Sequence, residues 1–426
     1  MLLSFRVRNY RSIAKEALLS LQPVTAFHEQ PENIQSCERF SALNVVAIYG
    51  ANASGKSNLV KAAAFMRKTL LHSSRVGSVD ELHVEPFMLD KQIAASPSLF
   101  EMTFAVGSQV YRYGFELTNT TVESEWLFVS NGGKRSVEKT LFIRQKNGFL
   151  KKNLTGMPEL GSFDINTLLA NALVLARLDQ LNGKTAKMIM RWFSDLRVLS
   201  GSSMAGFDTY TLNELANPTH RRDVLDFIRL ADRVIEDVKS ESQEIDLPDI
   251  PAALRRIIVV NNPGGHAVRE IVQVMRRDST GDMISFDMGR QESEGTMKMF
   301  ALAGPFTDIL RNGYVAFVDE LEAKLHPILT RRIIMMFNDP KINSHNAQLI
   351  FVSHDALQFK QGFGRMRRDQ IWFCEKNHLG MTDLYCLSDF KNGIRVRQEE
   401  DFGKKYLEGR YGAVPEFDFQ RSAGNE

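Results

Sequence analysis

Several features are scarce in this sequence, and each scarcity excludes a class of protein. Its 426 residues include three cysteines, Cys37, Cys374 and Cys386, too few and too scattered for a disulfide framework or a four-cysteine zinc site. No segment approaches the ~18 uninterrupted apolar residues of a membrane span, and charge interrupts the first residues too early for a signal peptide. The net charge of +2 favours neither nucleic acid nor a membrane as a partner. We therefore expect a cytoplasmic protein whose cysteines are reduced thiols and which has no membrane partner.

The composition is that of an ordinary globular protein, with 43% hydrophobic and 24% charged residues. Alternating apolar and polar residues predict a strand pair in residues 2–27 and an antiparallel meander at 99–105, 109–116, 123–129 and 141–145. Continuous apolar runs predict buried strands at 43–49, 313–318, 348–353 and 370–375, and they alternate with helical patterns at 56–71, 294–310 and 330–337. This alternation predicts a largely parallel sheet, and the fold class is therefore α/β.

The segment between the meander and the strand at 313–318 has a different pattern of apolar residues. Apolar residues at i, i+3 and i+4 predict helices at 167–181, 185–196 and 220–238, and short strands are predicted at 257–261, 271–276 and 283–287. We predict an amino-terminal lobe of residues 1–160 with the β meander, an inserted helical or mixed subdomain of 161–285, and a carboxyl-terminal lobe of 286–426.

The clearest motif is Gly50-Ala-Asn-Ala-Ser-Gly-Lys-Ser57, which lies between a buried strand and a helix. The two glycines allow the backbone N–H groups to turn toward phosphate oxygens, and the start of the helix adds a positive end. Lys56 would reach the β- and γ-phosphates, and the Ser57 hydroxyl would ligate Mg²⁺. The residues assigned to nucleotide binding in this P-loop are Gly50, Asn52, Ser54, Gly55, Lys56, Ser57 and Asn58.

A second motif places two carboxylates after the apolar run that ends at residue 318. Ligands bind at the carboxyl edge of open α/β sheets, so Asp319 and Glu320 would lie beside the P-loop. We assign Asp319 to Mg²⁺ binding through water, and Glu320 to accepting the proton of the attacking water. In isolation, an acidic helix cap after a strand would explain the same residues.

Two further groups complete the predicted site. His354 follows a third apolar strand, where it would hydrogen-bond a γ-phosphate oxygen or orient the water. Ser293 and Gly295 precede a helix, and a hydroxyl and an amide at a helix N-terminus can form an anion site. Alone, this second pattern would be read only as a helix cap.

The order of these four motifs resembles that of the ABC-type ATPase heads of the SMC/RecF class. In that class the serine–glycine signature of one subunit closes over the γ-phosphate bound to the P-loop of the other. The resemblance therefore implies ATP as the nucleotide, Mg²⁺ as the metal and a homodimer as the working form. Residues 5–12 look like the N-terminal strand motif of the class, which implies that Arg11 touches the nucleotide. Glu294 replaces the first glycine of the common signature, and Gln92 is the candidate for the glutamine-bearing loop.

More closely, the chain resembles the coil-less bacterial ATPases of the RloA/AbiL kind, implicated as a family in abortive infection and defence against phage. The likeness covers essentially the whole chain and depends on Ser124-Glu-Trp126-Leu, Glu292-Ser-Glu-Gly-Thr296, Asp319-Glu-Leu-Glu-Ala-Lys-Leu-His-Pro327, Asp369-Gln-Ile-Trp-Phe373 and Gly409-Arg-Tyr-Gly-Ala-Val-Pro415. It implies an ATP-switched sensor or regulator, with nuclease or toxin chemistry in a separate effector protein.

The alternative function is a RecF-like repair or recombination ATPase that binds duplex DNA. Four basic clusters could contact phosphates: Arg221-Arg222, Arg255-Arg256, Arg276-Arg277 and Arg365-Met-Arg-Arg368. Each of them taken separately is more typical of solvated surface charge.

Overall fold

The computed structural model describes residues 1–37, 39–133, 136–146, 148–201, 206–245, 267–355, 366–390, 396 and 400–415. The described strands are β1 (Leu2–Arg8), β2 (Ala17–Ser20), β3 (Ile34–Cys37), β4 (Phe40–Leu43), β5 (Val45–Tyr49), β6 (Ser98–Val106), β7 (Gln109–Leu117), β8 (Val122–Ser130), β9 (Lys139–Gln145), β10 (Gly148–Lys152), β11 (Arg197–Ser200), β12 (Asp237–Ile245), β13 (Ala267–Arg277), β14 (Met283–Asp287), β15 (Val315–Asp319), β16 (Gln348–Val352), β17 (Ile371–Lys376) and β18 (Thr382–Cys386). The described helices are α1 (Lys56–His72), α2 (Lys91–Ala94), α3 (Val174–Gln180), α4 (Lys184–Asp195), α5 (Phe207–Ala216), α6 (Arg221–Ile228), α7 (Met288–Gln291), α8 (Glu294–Asn312), α9 (Pro327–Asn338) and α10 (Phe402–Leu407).

The chain divides into two compact units. The first comprises Met1–Ser202, Ile309–Ala323 and Thr330–Glu426, and the second comprises Ser203–Asp308 and Lys324–Leu329. The three-part division at residues 160 and 285 remains a prediction. Within the described residues, no helix is both long enough and apolar enough to cross a membrane.

The first unit contains two large sheets, and its architecture confirms the predicted α/β class. The described strands of one sheet run in the order β10-β9-β8-β7-β6-β1-β2 and are antiparallel throughout. The other sheet has the order β11-β15-β16-β5-β17-β18, parallel except for β18. Strands β5 and β16 are buried along their whole length, which explains why they read as continuous apolar runs.

One buried glutamine joins these two sheets. Gln348 begins β16 and is fully buried. Its Oε1 accepts the backbone N–H of Leu2 at 2.5 Å, and its Nε2 donates to the carbonyl oxygens of Leu2 and Leu43, each at 3.0 Å. The amide therefore satisfies backbone groups of β1 and of the segment before β5 at once.

The parallel sheet determines where the predicted site residues lie. Because β5, β15 and β16 are parallel neighbours, their carboxyl ends share one edge. The P-loop follows β5, Asp319 ends β15, and His354 follows β16. Helix α1 packs its buried face, which includes Leu59, into the hydrophobic core that also contains Ile48 of β5 and Ile350 of β16.

Two predicted helices differ from the observed structure for identifiable reasons. The helix predicted at residues 220–238 is wrong in its second half, because α6 ends at Ile228 and β12 begins at Asp237. There the Asp232 side chain accepts the N–H of Val234 at 3.1 Å, a local bond that competes with helix formation. In the segment 167–181, α3 begins only at Val174, where the Glu125 carboxylate of β8 accepts the N–H group at 2.7 Å. The strand predicted at 257–261 lies outside the described residues.

The second unit combines helices with an antiparallel sheet in the order β12-β13-β14. Helix α5 contacts α8 through Thr211, whose Oγ1 donates to the Phe300 carbonyl at 2.9 Å and accepts the Gly304 N–H at 3.0 Å. A Cβ at position 304 would lie 2.7 Å from the Thr211 Cα, so glycine permits this close approach.

Candidate active site

The loop between β5 and α1 needs glycine at both ends. A Cβ added to Gly50 would collide with the carbonyl oxygen of Cys374 on the neighbouring strand β17. A Cβ on Gly55 would collide with Thr382, and Gly55 has φ +102°, a conformation that side chains rarely adopt. The loop is therefore fixed by close packing as well as by its own backbone.

A hydrogen-bond network holds the far side of this loop. Thr382 Oγ1 donates to the Ser54 carbonyl at 2.8 Å and lies 2.7 Å from Ser12 Oγ. Asn58 Nδ2 donates to the same Ser12 hydroxyl at 2.6 Å. The predicted binding residues Ser54 and Asn58 thus connect the loop to β18 and the N-terminal motif, whereas Asn52 is exposed on the loop.

Lys56 is buried at the first position of α1. Its Nζ donates to the carbonyl oxygens of Gly50 at 2.7 Å and Ala51 at 2.8 Å. Burial lowers the pKa of Lys56, while nearby acidic groups, including Asp319, act in the opposite direction. The ammonium group is therefore held inside the loop that is predicted to surround the phosphates.

Ser57 and Asp319 meet across the edge of the sheet. Ser57 Oγ donates to Asp319 Oδ1 at 2.9 Å, although 262 residues separate them in the chain. Burial raises the pKa of Asp319, and the hydrogen bond from Ser57 partly offsets that effect. A hydroxyl and a carboxylate at this distance fit Mg²⁺, which prefers oxygen ligands.

The backbone of Glu320 adopts an unusual conformation directly after β15. Its φ is +53°, in the left-handed region that a non-glycine residue seldom adopts. Gly201, which follows the adjacent strand β11, donates its N–H to the Asp319 carbonyl at 2.6 Å. A Cβ at Gly201 would collide with the Glu320 carbonyl oxygen. The position of Glu320 thus depends on the absence of a side chain at residue 201.

A third acidic residue lies in this loop and was not assigned a role from the sequence. Glu322 Oε1 accepts the backbone N–H of His354 at 2.6 Å. The available signal was the spacing Asp-Glu-Leu-Glu, which puts a further carboxylate two residues after Glu320. His354 itself is exposed, and desolvation lowers its pKa, with Lys56 acting in the same direction and the carboxylates opposing.

The N-terminal motif places Arg11 in an ion pair. Its Nη2 lies 2.7 Å from Glu85 Oε1, and its backbone N–H donates to the Glu85 carbonyl at 2.7 Å. The nucleotide contact of Arg11 remains a prediction. Gln92 is exposed on the short helix α2, where the Asp90 side chain caps the first turn.

The signature residues belong to the second unit. Ser293 Oγ accepts the N–H of Thr296 at 3.1 Å at the start of α8. Glu294, at the place of the first signature glycine, pairs with Lys324 at 3.2 Å. Both side chains are exposed, so this pair offsets the charge of Glu294 only in part. A Cβ added to Gly295 would lie 3.6 Å from the Lys324 carbonyl oxygen, an ordinary contact distance.

Arginines from three of the four basic clusters are engaged in ion pairs. Arg367 is fully buried and pairs with Asp369 at 2.8 Å, and Arg368 pairs with Glu29 at 2.9 Å. In the second unit, Arg221 pairs with Asp237, and Arg276 pairs with Asp232 and Glu292. Arg367 therefore supports neither a phosphate contact nor the solvated surface charge that is typical of such clusters, because its guanidinium is inaccessible. Arg255, Arg256 and Arg365 lie outside the described residues.

Fold and site together define a P-loop domain of the AAA type. A family model described as "AAA domain, putative AbiEii toxin, Type IV TA system" matches residues 45–142 and 210–357, more than half of the chain. The chain belongs to this family. The comparison with curated proteins finds no match.

The solved structures that are similar to the chain include the following three, all at low identity. The SMC head domain from Thermotoga maritima is 12% identical, with a TM-score of 0.40 over 93% of this chain and 99% of that one. The SmcHead bound to the C-winged helix domain of ScpA is 11% identical, with a TM-score of 0.42 over 90% and 97%. The recombination mediator protein RecF-ATPrS in the RecFOR pathway is 12% identical, with a TM-score of 0.31 over 90% and 98%.

Proposed function

We propose that this chain is an Mg²⁺-dependent ATPase that works as a homodimer and regulates a separate effector protein in antiviral defence by abortive infection. The observation that supports hydrolysis best is the 2.9 Å hydrogen bond from Ser57 to Asp319, beside the buried Lys56. The family description, which names AbiEii toxin and a type IV toxin–antitoxin system, supports the role in defence together with the resemblance to ATPases of the RloA/AbiL kind.

Each residue of the site has a definite task in this proposal. Lys56 exchanges its two loop carbonyl partners for the β- and γ-phosphates of ATP. Ser57 and Asp319 hold the metal, Asp319 through water. A bound Mg²⁺ would supply positive charge beside the phosphate oxygens. Glu320 accepts a proton from the attacking water, and His354 contacts the γ-phosphate.

The homodimer completes the site in the proposal. Ser293 and Gly295 of one copy would contact the γ-phosphate bound by the other copy. A carboxylate at position 294 would oppose that contact by like-charge repulsion, but its ion pair with Lys324 reduces the effect. The proposed order is ATP binding, closure of two copies, hydrolysis and reopening, and the effector responds to that change.

The test uses Glu320→Gln, which keeps the size of the side chain and removes its basicity. We expect ATP hydrolysis to fall by ~10²–10⁴-fold, and the mass in Mg-ATP measured by light scattering to be twice the monomer mass of 48.3 kDa. Glu408→Gln, an exposed carboxylate on the turn after α10, is the matched control. A monomer at saturating Mg-ATP, or full hydrolysis by Glu320→Gln, would contradict the proposal.

The alternative of a RecF-like ATPase on duplex DNA receives less support. Its predicted phosphate contacts at Arg276, Arg367 and Arg368 are neutralised by neighbouring carboxylates. Binding to duplex DNA at low salt, with an affinity that falls steeply as salt rises, would restore this alternative.

A further inference from the structure

Glu322 connects two parts of the site that the chain itself does not. It lies in the loop after β15, whereas His354 follows the neighbouring parallel strand β16. Glu322 Oε1 accepts the His354 backbone N–H at 2.6 Å, across 32 residues of sequence. A charged acceptor makes this bond roughly twice as strong as a neutral one, so it restricts the backbone that presents the imidazole.

The second oxygen of the same carboxylate is still available. Glu322 Oε2 is buried and has no hydrogen-bond partner among the described residues. Lys56, a cation close enough to interact with the Glu322 charge, already donates to Gly50 and Ala51. Leaving a buried carboxylate oxygen unpaired is costly, so its presence needs an explanation other than stability.

One group beside Glu322 that can use a free acceptor is the imidazole of His354, which interacts with the Glu322 charge. A histidine that uses one ring nitrogen on a substrate is commonly oriented by an acceptor on the other ring nitrogen, which fixes the tautomer. Glu322 already holds the backbone of this residue, and its charge acts on the imidazole in the direction that raises the pKa of His354.

From this geometry we infer that Glu322 is the positioning residue for His354. Its Oε1 fixes the backbone, and its Oε2 accepts the ring N–H in the ATP-bound state, so that the other ring nitrogen faces the γ-phosphate. The inference rests on the proposed function, and it assigns Glu322 no contact with ATP or Mg²⁺. A carboxylate with a purely structural role, or one that binds the metal, would behave differently in the following experiment.

The experiment compares Glu322→Gln, His354→Ala and the double variant in the full-length chain. The amide of Glu322→Gln retains an oxygen for the backbone N–H but puts an NH₂ group where the ring needs an acceptor. We expect kcat to fall ~10–100-fold, while the Kd for a fluorescent ATP analogue and the Mg²⁺ dependence change less than about threefold. The double variant should be no slower than His354→Ala, because both changes remove the same interaction.

Glu159→Gln is the matched control, because Glu159 Oε1 also accepts a backbone N–H, that of Thr185, at 2.9 Å. A second measurement is the ¹⁵N shifts of the His354 ring with Mg-ATP in the wild type and in Glu322→Gln, assigned by their loss in His354→Ala. One dominant tautomer in the wild type and a changed one in the variant would support the inference.

Three outcomes would overturn it: kcat of Glu322→Gln within about twofold of the wild type, additive losses in the double variant, or a shifted Mg²⁺ dependence. In all three the wild type still hydrolyses ATP, so the proposed function would stand. A wild type that neither binds nor hydrolyses ATP would instead refute the proposed function, and the inference with it.

Discussion

Replacing Gly201 by alanine should separate ATP hydrolysis from ATP binding. The new methyl group would collide with the Glu320 carbonyl oxygen and would lie 2.8 Å from its carbonyl carbon and 2.9 Å from the Asp319 carbonyl oxygen. All of these are backbone atoms, so no side-chain rotation can relieve the contact. The strand end that bears Glu320 would have to move by ~1 Å to reach ordinary contact distances.

The size of the effect follows from that displacement. Overpacking of this kind costs ~1–3 kcal/mol of folding free energy, and a shift of ~1 Å in a catalytic group costs ~100-fold in rate. We expect kcat to fall by about that factor while the Kd for ATP stays within about threefold, because Gly201 contacts Asp319 and Glu320 rather than the P-loop. A coupled phosphate-release assay gives kcat, and a fluorescent ATP analogue gives the Kd.

A suitable control is Gly77→Ala, whose added Cβ would have its nearest neighbour, an Asp80 side-chain oxygen, at 3.4 Å. It should leave both kcat and the melting temperature almost unchanged. If Gly201→Ala retained at least about half of the wild-type kcat, the argument that Gly201 determines the position of Glu320 would be refuted.

Two further predictions concern the metal and the core. Ser57→Ala removes an oxygen ligand, and Asp319→Asn removes the charge that holds the metal through water. The Mg²⁺ concentration for half-maximal hydrolysis should therefore rise about tenfold or more in a titration at fixed ATP; an unchanged midpoint would rule out the assigned metal site. Arg367→Met should cost ~3–5 kcal/mol in urea unfolding, because it leaves Asp369 buried without its ion pair. Adding Asp369→Leu should recover part of that loss, and a further loss on adding it would show that the pair does not explain the burial of Arg367.

The parallel sheet and its edge could be predicted because the signals are local. Buried parallel strands have no solvent face, so β5, β15 and β16 read as unbroken apolar runs. Each run ends in a chemically distinctive residue, and parallel pairing places those ends together. The meeting of Ser57 with Asp319 follows from this logic, although 262 residues separate them.

The remaining features depend on partners that are distant in sequence. Thr382 holds the Ser54 carbonyl from 328 residues away, and no local pattern distinguishes it from other strand threonines. The arginines at 367 and 368 look like a solvated basic cluster because Glu29, which neutralises Arg368, lies in the N-terminal region. A local feature explains the remaining error. The helix predicted at 220–238 is wrong in its second half because apolar residues on both sides of the turn at Asp232 continue the same helical period by coincidence.

The three hydrogen bonds of Gln348 have a consequence for how the first unit loses its structure. Separating the antiparallel sheet from the parallel sheet would break these bonds. The amide of Gln348 and the backbone groups of Leu2 and Leu43 would then lack hydrogen-bond partners in an apolar interior. Neither sheet can therefore melt independently at low cost. Thermal denaturation of this part of the molecule should be a single cooperative transition, and the edge that bears Lys56, Asp319 and His354 should persist until that transition.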